Sequence, residues 1–233
     1  MVSVTPQNIH TMLLTSLRRF QSTQICEQAR KSLSTLLKNE AALETRECKY
    51  GPEMKARNLP QNMRKVMNEL NWTLSQREGD PSFSLMKKIG DLEVKVTCNV
   101  EQMYAQDAEI DQENFEEQEL EDDTMEKAES DEFNAPYELS VEMKKSNGDG
   151  IQVNCDLYAT GEQVQISSIQ QLGKKYQGPL FEELELDMQE AFSDYVKGAG
   201  VDGSLYGLLD DFVPFKEGCE YLNWLDSVRK VVE

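Results

Sequence analysis

The chain of 233 residues carries 43 Asp and Glu against 24 Lys and Arg, a formal charge of -19, and 39% hydrophobic residues. That is enough apolar material for a real core, and one domain is the better reading at this length. Such a negative field repels phosphate backbones and attracts basic proteins or cations, which argues against nucleic-acid binding over a broad surface, and no apolar run approaches a membrane span.

Residues 1–26 contain no Asp or Glu. They carry Arg18 and Arg19, several hydroxyl residues, and Met12, Leu13, Leu14, Leu17 and Phe20, which can share one face of a short helix. A basic, amphipathic, acid-free start is the pattern of a mitochondrial transit peptide, expected over 1–23; its apolar stretch is too broken for a secretory signal. Its removal would take away His10, the only histidine. The remainder, 24–233, is expected to form a single acidic domain in a mitochondrial matrix protein.

In chain order, 24–46 reads as a helix, with Ala29, Leu33, Leu36 and Leu43 at helical spacing, ended by Gly51-Pro52. Residues 58–68 give no clear signal. Trp72 to Gln76 alternates as a strand does. Residues 82–88 and 92–100 are stronger strands around a Gly90-Asp91 turn, with Leu92, Val94, Val96, Cys98 and Val100 on one face. Residues 105–132 break the pattern, holding fourteen acidic residues and one basic residue, Lys127. A block so charged cannot bury enough surface to offset its ordering entropy, so a disordered loop interrupting the sheet is expected. Strands resume at 137–144 and 151–158 around Asn147-Gly148-Asp149-Gly150, followed by one carrying Val164, Ile166 and Ile169. Beyond Gly178-Pro179 the period becomes helical. Leu184, Met188, Ala191, Phe192 and Tyr195 make one face, Gly198 to Gly200 a cap, and Leu205, Leu208 and Leu209 a shorter connecting helix. Pro214 suits the first turn of a last helix bearing Tyr221, Trp224, Leu225 and Val228. Helix, antiparallel sheet, then helices is an α+β order.

Several motifs dissolve on inspection. Gly198-Ala199-Gly200-Val201-Asp202-Gly203 spells the dinucleotide-binding string, but that chemistry needs a strand before the glycines, and here a helix precedes them. Counting an EF-hand loop from Asp107 puts Gln112 and Gln118 where Gly and Glu are required, which leaves only diffuse cation binding. The sequon Asn71-Trp72-Thr73 is read as chance. Five scattered cysteines form no framework and suit a reducing compartment as small buried groups. Without a mature histidine there is no imidazole base or ligand, and no nucleophile elbow or phosphate loop appears, so no catalytic residue, cofactor or metal site is expected. Tyr221, Trp224 and Leu225 are candidates for helix or subunit packing.

The chain resembles the mitochondrial acidic matrix protein family, also called the mitochondrial glycoprotein or complement-C1q-binding-protein family. The resemblance rests on 181–195 (FEELELDMQEAFSDY), Gly200-Val201, Lys216-Glu217, Glu220-Tyr221 and Trp224-Leu225. Upstream, Trp72-Thr73-Leu74, 90–99 (GDLEVKVTCN), the acidic block and 151–155 (IQVNC) occur in the same order. It implies a twisted seven-stranded antiparallel sheet flanked by one N-terminal and two C-terminal helices, in a doughnut-shaped homotrimer; alternation alone supports about six strands. It also implies multi-partner roles in mitochondrial RNA processing, RNA editing, translation or respiratory maintenance. The first expectation is therefore a non-enzymatic acidic adaptor or chaperone binding basic proteins, such as RNA-processing or ribosomal proteins, with nucleic acid reached indirectly. The expected contacts are Asp107, Glu109, Asp111, Glu113, Glu116, Glu117, Glu119, Glu121, Asp122 and Asp123. The rivals are a direct RNA-binding accessory factor, for which Lys87-Lys88, Lys144-Lys145 and Lys174-Lys175 are the only clusters, and a diffuse cation-binding protein.

Overall fold

The computed structural model describes the backbone of 6–101, 136–159 and 164–233, with side chains from Cys26 onward in those ranges. The chain folds as two compact units, residues 1–56 with 221–233 and residues 57–220. The acidic block at 105–132 lies outside the described residues.

In the first unit, α1 (Pro6–Glu47) is followed by α2 (Gly51–Ala56). Gly51-Pro52 thus opens a new helix, because proline is tolerated in a first helical turn, where its missing N–H has no partner to lose. The inward line on α1 is Ser34, Leu37, Ala41 and Glu44, of which Leu37 is buried. The stripe read from helical spacing is exposed at Leu33, Leu36 and Leu43. Helical period identifies an apolar face without identifying what covers it.

In the second unit, α3 (Gln61–Glu69) occupies the stretch that gave no signal. Met63 and Met67, one turn apart, bury its inner face, and Trp72 is buried just beyond it. Among the described residues six strands follow: β1 (Thr73–Gln76), β2 (Ser82–Ile89), β3 (Leu92–Asn99), β4 (Tyr137–Lys145), β5 (Gly150–Leu157) and β6 (Val164–Gln171). They lie side by side in sequence order, every neighbouring pair antiparallel. The seventh strand implied by the resemblance is not among the described residues. Alternation sets the faces: Val94, Val96 and Cys98 of β3, Leu139, Val141 and Met143 of β4, and Val153, Cys155 and Leu157 of β5 are all buried. A register shift at Asn154/Cys155 sets Cys155 opposite Ile166 and Val153 opposite Ile169. The bulge thereby reconciles the uneven spacing of Val164, Ile166 and Ile169 with one inward face.

A short 3-10 turn (Phe181–Glu183) precedes α4 (Leu186–Gly198), and α5 (Gly203–Val232) closes the chain. Three expectations change here. Leu184 lies before α4, in extended backbone after the 3-10 turn. The apolar face read on α4 is open, with Met188 and Tyr195 exposed and Val196 the buried residue. The connecting helix and the last helix are one, and Pro214 sits inside α5. A proline inside a helix costs about 3 kcal/mol. Here Leu205, Leu208, Leu209, Phe212, Val213 and Phe215 are all buried around it. Burying such side chains contributes roughly 1.5–3 kcal/mol each, so packing keeps the helix continuous. Phe212 meets Phe83 at 4.7 Å and Tyr206 meets Tyr137 at 4.9 Å between ring centroids, which seats α5 on the inner sheet face.

Candidate interaction surfaces

The glycine string is a helix-to-helix joint. Gly200 adopts φ +89° between α4 and α5. Asp202 then caps α5, its Oδ1 accepting from the backbone N–H of Ser204 (2.9 Å) and Leu205 (3.2 Å). A helix start already occupied by a carboxylate repels phosphate, so the joint offers no nucleotide site. A Cβ on Gly200 would collide with Lys87 Nζ, which lies 4.3 Å from the centroid of the Trp72 ring. Burial lowers the pKa of Lys87 from its ordinary value, opposed by the charge of Asp202.

The buried thiols are unsuited to nucleophilic chemistry. Cys98 and Cys155 are both pushed up to about 12, chiefly by burial, so they stay protonated at neutral pH. Cys26 is exposed, and Cys48 and Cys219 are half-buried, so burial describes two of the five. Among the described residues no group of three or more His, Cys, Asp or Glu side chains is placed to hold a metal ion. No described helix is long and apolar enough to cross a membrane.

The ten acidic residues from Asp107 to Asp123 lie outside the described residues, but their point of attachment is fixed. β3 ends at Asn99 and β4 begins at Tyr137, so the block joins the sheet at the end where those two strands meet. Further carboxylates are built into that end. Glu138 and Asp156 face each other across β4 and β5. The carboxyl of Asp156 is raised above its ordinary value, first by burial and then by Glu138. Like charges directly opposite on a sheet are destabilising, so this pair is tolerated at a cost. Burial and Asp210 likewise raise the Tyr137 phenol, whose O–H donates to Asp210 Oδ1 at 3.4 Å.

The packing candidates separate by exposure. Within the first unit Leu225 is buried, Tyr221 half-buried and Trp224 55% exposed, the last two stacked at 6.1 Å. Leu36, Leu37, Leu43, Tyr221, Trp224 and Leu225 line a groove of about 420 Å³ between α1 and the end of α5. Tyr221 O–H donates to Glu40 at 3.4 Å, and Arg30 donates to the carbonyls of Val232 and Glu233, fixing an antiparallel helix pair.

Sequence reasoning missed a buried ion pair. Lys216 is 2% exposed and donates to Glu220 Oε1 and, at 3.0 Å, to the carbonyl of Arg77. Glu220 Oε2 accepts from the backbone N–H of Gly79 at 2.8 Å, so α5 clamps the β1–β2 turn. The signal was present as Lys and Glu four apart among the residues carrying the family resemblance, yet that spacing is equally common on solvated helices.

Comparison with known proteins agrees with this architecture. The model of the family described as mitochondrial glycoprotein matches residues 37–232. The mitochondrial acidic protein mam33 of Schizosaccharomyces pombe is 28% identical over 187 residues, covering 70% of this chain and 69% of that protein. Two solved structures share the fold. One is a Leishmania major protein of unknown function described as a sequence homologue of human p32, with TM-score 0.58, 16% identity and coverage of 88% of this chain and 99% of that one. The other is the Trypanosoma brucei p22 protein, with TM-score 0.57, 19% identity and the same coverages.

Proposed function

Because the chain belongs to the mitochondrial glycoprotein family, we propose that it is a non-enzymatic acidic adaptor or chaperone of the mitochondrial matrix that captures basic proteins. Its partners would include RNA-processing or ribosomal proteins, with a supporting role in RNA processing, RNA editing, translation or respiratory maintenance. The observation that carries this reading is the concentration of charge: fourteen carboxylates against one lysine between residues 105 and 132, in a chain of net charge -19. A dense local field accelerates encounter with cationic partners and shields their basic surfaces before they meet RNA. Residues 1–23 would direct the chain into the organelle and be removed there.

Assembly into a doughnut-shaped homotrimer, with the seventh strand of the family sheet, belongs to the same reading. It is supported by large apolar side chains left exposed: Leu33, Leu36, Leu43 and Trp224 of the first unit, Leu186, Met188 and Tyr195 of the second. Such groups cluster where subunits pack.

The test is capture of a purified basic ribosomal protein by the full chain and by a variant lacking 105–132, at rising salt. Capture should weaken strongly with the deletion and with salt above the range where the Debye length is about 10 Å. Salt-insensitive capture that survives the deletion would defeat the electrostatic mechanism.

A further inference from the structure

Lysine pairs that are far apart in sequence meet at one end of the sheet. Strand register sets Lys88 opposite Glu93, Glu93 opposite Lys144, and Lys144 opposite Gly150. Leu172 N–H then donates to the Gly150 carbonyl at 2.9 Å, which brings the Lys174-Lys175 turn to the same end. Neighbouring strands are about 4.8 Å apart, so Lys88 and Lys144 stand roughly 10 Å from each other on one face. Lys87, Lys88 and Lys144 line a groove of about 400 Å³ with Thr73, Met86 and Glu93. With Lys145, Lys174 and Lys175, this end gathers five exposed lysines, Lys88 and Lys144 among them, against Asp91, Glu93 and Asp149, while Lys87 is held over Trp72 with Asp202 beside it.

The lysines are available. Lys88, Lys144, Lys145, Lys174 and Lys175 are all exposed, and none of them takes part in an ion pair within 4.0 Å among the described residues. Lys95, further along the same face, is neutralised by Glu142 at 3.2 Å. Next to Lys175 stands Tyr176, 76% exposed. β3 stops and β4 starts at the opposite end of the sheet from these lysines.

We infer that this lysine end of the sheet binds the phosphodiester backbone of single-stranded RNA, with Tyr176 offering a stacking surface for a base. Lysines carried on strands roughly 10 Å apart can contact the phosphates of an extended strand, and an exposed aromatic ring accepts any base face. A groove suits a flexible polymer better than a planar lipid surface. Ile89 and Tyr176 are the exposed large apolar side chains at this end, fewer than an interfacial lipid anchor uses. The lysines of this site are distinct residues from the acidic block of the proposed function, so one chain could hold both a basic protein and RNA.

The test is fluorescence anisotropy of a labelled oligouridylate with the purified full chain, beginning at about 50 mM salt. Engagement of four lysines gives a slope of log affinity against log salt of about -3 for single strands. The triple variant Lys88→Gln, Lys144→Gln, Lys174→Gln should bind at least about tenfold more weakly with a slope near -1, whereas Lys38→Gln on α1 should match the parent. Circular dichroism melts confirm that the fold is kept. The triple variant must still capture the basic ribosomal protein, which separates failure of this site from failure of the adaptor reading. No binding by the parent at micromolar concentration, or equal affinity of parent and triple variant, overturns the inference. So does lysine-dependent binding to anionic phospholipid vesicles without lysine-dependent RNA binding.

Discussion

Replacing Glu220 by Gln should destabilise the protein more than replacing its partner Lys216 by Met. Lys216 is 2% exposed, whereas the Glu220 side chain is 20% exposed. Glu220→Gln leaves an ammonium in the core facing only neutral acceptors, the Arg77 carbonyl at 3.0 Å and the new amide oxygen. Breaking a buried pair from one side costs about 3–5 kcal/mol, and the remaining carbonyl acceptor puts this case near the lower limit, about 3 kcal/mol. Lys216→Met preserves the stem volume and leaves Glu220 with the Gly79 N–H at 2.8 Å and some access to water. That loss should be about 1–2 kcal/mol, in the range of an unsatisfied hydrogen-bonding group. The double variant has no stranded charge and should recover at least half of the Glu220→Gln deficit. Urea unfolding followed by circular dichroism, at one pH and one protein concentration, measures all three. Additive losses in the double variant, or a larger loss for Lys216→Met, would refute the claim that desolvation of the ammonium dominates.

Asp156→Asn should stabilise the fold at neutral pH by about 0.5 kcal/mol, because it removes a like-charge pair with Glu138 across β4 and β5. The folded-state pKa of Asp156 is raised, so its carboxylate opposes folding above that value, and the advantage of Asn should fade as pH falls through a window just above the ordinary carboxylate range; urea melts across that window check the sign. Gly200→Ala should cost roughly 2 kcal/mol or more, since a side chain at φ +89° is strained and its Cβ meets Lys87, and thermal melting reads the loss. A thiol reagent at neutral pH should label Cys26 rapidly and reach Cys98 and Cys155 only after denaturant is added.

Two-residue alternation marks the six described strands in the sequence, because each strand buries one face and a slip of one residue would expose it. The turn glycines, the cap at Gly198–Gly200 and the failure of the dinucleotide string followed from local chemistry alone. So did the lopsided charge, which is a property of composition. Tertiary packing decided what local rules leave open. It kept α5 unbroken through Pro214, since the buried side chains around that turn outweigh one missing hydrogen bond. It turned Leu33, Leu36 and Leu43 outward, as periodicity names a face and not its covering. It buried Lys216 beside Glu220, a spacing that solvated helices share. It also drew Lys88, Lys144 and Lys174 to a common end of the sheet, because antiparallel register joins residues whose separation along the chain carries no trace of their meeting.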